Sequence, residues 1–153
     1  MQELKLEKST AIRLFEKVPE WFQETLIATF GKECFSKSIF DRIKTFEDAC
    51  EAMNKKPEDV YHEKDAPDDV ARKKLKVIAE ALNGGWVPDW NDTNQKKRYP
   101  WFKMSSGFGF DRSVYGYGCT DAGCGSRLCL SSNELSNYFG TQFIDLHEIH
   151  LTK

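Results

Sequence analysis

Apolar residues in the first half of the chain recur at helical spacing. In residues 19–31, Phe22, Leu26 and Phe30 fall at every fourth position, and Trp21 and Ile27 widen the stripe. That pattern is the broad buried face of an amphipathic helix. Glu20 stands where the helix dipole favours an anion, and Gly31 supplies the stop. A shorter helix is predicted ahead of it, capped by Thr10, carrying Ile12, Leu14 and Phe15, and broken at Val18-Pro19. Residues 35–44, with Phe35, Ile39, Phe40 and Ile43, read as another short helix. Thr45 and Asp48 have the spacing of a capping box for a helix that ends at Asn54. The clearest stripe is Ala71, Leu75, Ile78 and Leu82, at i, i+4, i+7 and i+11 of a helix closed by Gly84 and Gly85.

From Gly84 to Ser131 the pattern changes. Three of the four Trp and eight of the ten Gly lie in this stretch, and large aromatics alternating with glycine and turn residues build short strands and tight loops. Residues 98–104, 108–110, 113–117 and 127–130 are predicted as three or four strands of an antiparallel meander, with Pro100 marking an edge or a bulge. Asn91 to Asn94 is a turn cluster. Ser131 and Glu134 then have capping-box spacing for a helix over about 132–150, with Leu135, Phe139, Phe143, Leu146 and Ile149 on one face. Gly140 in its middle costs roughly 1 kcal/mol against Ala, so a close-packed neighbour is expected there. The whole reads as one α+β domain: a helical part over about 10–85, an aromatic and Gly-rich β segment over 86–130, and a C-terminal helix packed on the sheet.

Composition adds boundaries. A chain of 153 residues with 40% hydrophobic residues can bury a core without disulfide staples. The net charge of −2 gives no bulk attraction to nucleic acid or anionic lipid. The first ten residues lack the apolar core of a signal peptide, and no apolar run approaches the roughly 20 residues that span a bilayer. Five cysteines, an odd number without an export signal, are expected as free thiols in a reducing cytoplasm.

Candidate chemistry is sparse. Cys119, Cys124 and Cys129 are spaced more loosely than a zinc knuckle, so neither a metal nor a cofactor is expected. The loop 116–125 lacks the Gly-Lys-Ser/Thr ending of a phosphate-binding loop, and no nucleophile and base stand in a catalytic context. His147 and His150 read as exposed polar residues near a helix end. What remains is recognition. Trp86, Trp90, Tyr99, Trp101, Tyr115 and Tyr117 are the material of a protein-binding surface. Lys96, Lys97, Arg98 and Lys103, interleaved with Tyr99 and Trp101, are an alternative surface for single-stranded nucleic acid. Arg112, Asp121, Arg127 and His147 are candidate polar groups for a nucleotide-type small ligand, with Arg127 suited to a bidentate grip on an anion.

Three groups of residues also carry a resemblance. Residues 46–52 read FEDACEA; residues 74–90 run from KLKVIAEALN into Gly85, Trp86, Pro88, Asp89 and Trp90, followed by Tyr99-Pro100-Trp101-Phe102; residues 125–130 read GSRLCL, ahead of Glu134-Leu135 and residues 142–145, QFID. From about residue 18 onward the chain resembles an uncharacterised family of small proteins encoded by Bacteroides-type gut bacteria and, repeatedly, by their phages. The resemblance implies a phage or mobile-element product acting in the bacterial cytoplasm or in a virion, and no catalytic residue. The expected function is therefore that of an accessory protein binding a host or phage protein, with nucleic acid as a possible partner and no membrane.

Overall fold

Helix α6 (Pro67–Asn83) is the centre of the molecule, and its composition explains why. Pro67 occupies the first turn, where its missing N–H is no loss, and Gly84 closes the helix in the left-handed conformation at φ 56°. Between them Ala71, Leu75, Val77, Ile78, Ala79, Ala81 and Leu82 are all buried. The computed structural model describes residues 6–36, 38–105, 107–115 and 126–153.

Five helices precede α6: α1 (Lys8–Phe15), α2 (Glu20–Phe30), α3 (Glu33–Ser36), α4 (Ile39–Arg42) and α5 (Phe46–Ala52). The predicted helix over 35–44 is thus two single turns. The first helix starts at Lys8 with Glu7 in the capping position, not at Thr10, and no side chain caps it. Helix α5 begins as expected: the Thr45 hydroxyl accepts the Asp48 N–H, and the Asp48 carboxylate accepts the Thr45 N–H. Asn54 turns the chain away at φ 52°.

Strands β1 (Arg98–Lys103) and β2 (Gly109–Tyr115) form an antiparallel hairpin with a bulge between Trp101 and Phe102. The predicted strand over 127–130 is instead a 3₁₀ turn, Ser126–Leu128, followed by one bridge between Leu130 and Arg98. Asn83 ties this segment to the end of α6. Its amide donates to the Cys129 carbonyl at 2.9 Å, and its oxygen accepts the Ser131 N–H at 3.0 Å. Leu130 keeps its own N–H and C=O for Arg98, so the Asn83 side chain satisfies the backbone groups on the opposite edge of the segment.

The C-terminal helix is also divided, into α7 (Asn133–Gln142) and α8 (Ile144–Thr152), with the break at Phe143. Its cap is Ser132, one residue later than the spacing indicated; the Ser132 hydroxyl accepts the Leu135 N–H. Helix α7 covers the hairpin, and α8 lies along α6. The break lets one apolar stripe serve both surfaces. Gly140 is where α7 meets the sheet: a Cβ there would come within 2.5 Å of the Phe110 ring and 2.8 Å of Pro100. Phe139, fully buried, joins Leu75, Ile78, Leu82, Leu130 and Phe143 in the core. No helix among the described residues is long and apolar enough to cross a membrane.

Candidate functional site

Two consecutive glycines set the geometry. Gly84 and Gly85 both have positive φ, and they turn the chain sharply from the end of α6 into Trp86-Val87-Pro88. The next turn is organised from within by Lys97. Asp89 and Asp92 each accept an N–H two residues on, from Asn91 at 2.9 Å and Asn94 at 2.8 Å. The buried Lys97 ammonium donates to the carbonyls of Asp89 at 2.5 Å and Asp92 at 3.2 Å. It also lies 5.3 Å from the centroid of the Trp90 ring. A cation held by two carbonyls and an aromatic face fixes Trp90 in place.

The outer side of this turn faces the N-terminal helices across a groove of about 1650 Å³. Its apolar walls include Phe15 from α1, Phe40 from α4, Leu135 from α7, and Trp86, Val87 and Trp90. Val87 is 75% exposed at its edge. The base carries Cys129, whose thiol burial pushes upward in pKa, and beside it Tyr99, pushed up to about 12 by burial and by its contact with the Cys129 sulfur. Both groups therefore stay neutral at physiological pH. Arg127 also lines the groove.

The expected protein-binding aromatics are thus divided. Trp86 and Trp90 come together in the groove, whereas Tyr99 is half-buried behind it. Trp101 lies on the hairpin, 53% exposed, with the Arg112 guanidinium 5.6 Å from its ring centroid. Tyr115 pairs opposite Arg98 through its backbone, and Tyr117 lies outside the described residues.

The basic set is dispersed. Lys97 points inward, Arg98 donates to the Asn133 side chain at 3.1 Å, Lys103 lies 3.8 Å from Asp111, and Lys96 is exposed.

The small-ligand set does not converge either. Arg112 pairs with Asp111, Arg127 belongs to the groove, and Asp121 lies outside the described residues. His147 is a correction: it is 3% exposed, wedged between Phe102 and Phe139 with both ring centroids at 4.6 Å. Desolvation lowers its pKa to about 4, and its Nε2 has no hydrogen-bond partner among the described residues. His150 is half-buried as well, beside Asp68, Asp69 and Arg72 of α6. His147 and His150 follow Phe143 at i+4 and i+7, so both continue the apolar face of Phe139 and Phe143, and α8 lays that face along α6.

Among the described residues no cluster of three or more His, Cys, Asp or Glu is placed to hold a metal; Cys119 and Cys124 lie outside them. Sequence reasoning missed Arg13 and Lys17. Their side-chain tips come within 4.0 Å and 3.9 Å of the position a Cβ on Gly85 would take. Arg13 lies on α1 and Lys17 in the turn that follows it, and nothing local says what either opposes. No protein-family model, curated protein or solved structure matches the chain.

Proposed function

We propose that this chain is a phage or mobile-element accessory protein that acts by binding another protein, through the groove bordered by Trp86, Val87 and Trp90. The phage setting rests on the sequence resemblance alone. The binding reading rests on the groove's size and lining: at about 1650 Å³ it exceeds the roughly 300–1,000 Å³ of small-molecule sites, and Phe15, Phe35, Phe40, Trp86 and Trp90 line it among polar and charged residues. Half-buried tryptophans beside an exposed aliphatic residue have the composition of a binding hot spot. The dispersal of Lys96, Lys97, Arg98 and Lys103 weighs against a continuous track for single-stranded nucleic acid. The separation of Arg112, Arg127 and His147 weighs against a nucleotide site.

The test is site-specific photo-crosslinking in cells carrying the chain, with a benzophenone amino acid at Val87 in the groove, at Trp101 on the hairpin, or at Glu24 on the exposed side of α2. The expected result is a discrete protein adduct from Val87 that neither other position reproduces. Adducts of equal yield from Glu24, or none from Val87, would remove this reading.

A further inference from the structure

The hairpin is fastened to the helices unevenly. At its base, Arg98 exchanges backbone hydrogen bonds with Leu130 at 3.0 Å and 2.9 Å, and its guanidinium donates to Asn133 at 3.1 Å. Ser113, paired opposite Pro100, donates from its hydroxyl to the Asn137 side chain of α7 at 2.8 Å. Beyond the bulge between Trp101 and Phe102 the attachment changes character: among the described residues it is made by rings.

That attachment runs through one titratable group. Phe102 stacks on Phe108 with centroids 4.9 Å apart, and on its other side the His147 ring of α8 lies at 4.6 Å. His147 in turn stands nearly perpendicular to the Phe139 ring of α7. A backbone hydrogen bond at Phe139 is a polar contact of this imidazole, and its Nε2 has none among the described residues. A neutral ring suits the place, because a lone pair without a partner costs less than a charge without hydration. Protonation puts a second N–H and a full charge between two phenyl groups. Phenyl faces attract a cation, but they do not replace the water that an imidazolium loses here.

Charged neighbours are few. His150, three residues on, acts on the ring and disfavours its proton, and is itself set among Asp68, Asp69 and Arg72 of α6. On the hairpin, Asp111 is engaged with Lys103 at 3.8 Å and with Arg112. Glu134 of α7 and Asp145 of α8 are exposed, and Glu148 is half-buried.

We propose that the hairpin tip is an acid-released flap: the neutral His147 ring latches Phe102 against α7, and its protonation frees the tip to swing on Arg98 and Ser113 while the α6 core stays folded. The hairpin is the side that yields, because α8 lies along α6 whereas two strands without further support are marginal. The bulge after Trp101 places a bend where the tip begins. Release uncovers Phe102 and Phe110, an aromatic face that is half-buried at neutral pH. With the latched ring protonating at about 4 and a solvated one near 6.5, the released fraction at pH 5 should exceed that at pH 7.5 by up to about thirtyfold.

The test is amide hydrogen exchange on the full chain at these two pH values, with each rate divided by that of the unstructured amide at the same pH. Cross-strand amides of a released hairpin exchange, so their protection reports the latch. Protection between Trp101 and Asp111 should fall up to about thirtyfold at pH 5, and that of α6 between Leu75 and Leu82 much less. His147→Leu and His147→Gln should each remove most of the fall, whereas His150→Gln and Asp111→Asn should leave most of it.

Equal falls in the hairpin and α6 would overturn the proposal, since the chain would then open as a whole. So would unchanged protection at pH 5, or a fall that survives both His147 substitutions. Should neither variant fold, titration of the wild-type His147 ring by NMR decides. Protonation centred near pH 4 supports the latch, and protonation near pH 6.5, as for a ring in water, overturns it.

Discussion

Two regions of this chain have similar apolar patterns and very different burial. Helix α6 buries seven residues, whereas α1 and α2 bury one each, Ala11 and Leu26. The stripe of Phe22, Leu26 and Phe30 is as regular as that of α6, yet Trp21 beside it is 69% exposed. Helix α6 is covered by α5 on one side and α8 on another, while α1 and α2 lean mainly on each other and on the short α3. Periodicity announces a face. It does not supply the neighbour that covers it, and here the groove lies where the two regions meet.

The contrast can be broken most forcefully in the covered region. Phe139→Ala leaves a cavity among Leu75, Ile78, Phe143 and the His147 ring, and should cost about 3–5 kcal/mol in chemical denaturation. A loss under 1 kcal/mol would contradict the packing of α7 and α8 described above.

Acid should act on the same core. His147 has a folded pKa of about 4, below the unfolded value near 6.5 because burial disfavours imidazolium. The unfolded chain then binds the extra proton first. Stability from this group is present above pH 6.5 and is lost as pH falls toward 4, up to about 3 kcal/mol in all. His147→Leu should flatten that part of the stability–pH curve, and an unchanged curve would show that this ring does not govern it.

Smaller effects sharpen the comparison. Asn83→Ala strands the Cys129 carbonyl and the Ser131 N–H, and should cost about 1–3 kcal/mol. Gly140→Ala should cost a similar amount, since its methyl group meets Phe110 and Pro100, whereas at an exposed helical position the same change would stabilise. For both, urea midpoints compared with wild type are the measurement.

The smallest effect belongs to the other region. Trp21→Ala should change global stability by no more than about 0.5 kcal/mol, because the ring is largely in water. Amide exchange should be faster in α1 and α2 than in α6. Equal protection in both would mean that the two regions open as one unit.

Local chemistry was legible where a residue's partner lies within a few positions. Thr45 and Asp48 predicted their capping box, Gly84 the end of α6, and Pro100 a disturbed strand, seen one residue away as the bulge after Trp101. Gly140 pointed to close packing because a glycine in a helix needs a reason, and Phe110 is that reason. The α+β class followed from the change of pattern at Gly84.

Long-range competition was not legible. Nothing near residue 130 indicates that Asn83, more than forty positions earlier, takes the backbone groups of Cys129 and Ser131. Lys97 looks like any surface lysine in a basic run until the carbonyls of Asp89 and Asp92 close around it. The two histidines read as solvent-facing from their polarity, although their spacing of i+4 and i+7 from Phe143 places them on the buried face. Arg13 and Lys17 reach Gly85 only because the end of α1 and the turn after it meet the end of α6. Sequence alone determined the α+β class, the long helices α2 and α6 and the capping box of α5, since caps, glycines and periodicity act over a single turn. The groove and the packing of His147 between Phe102 and Phe139 were decided by tertiary structure, because each depends on segments that meet only in the folded chain.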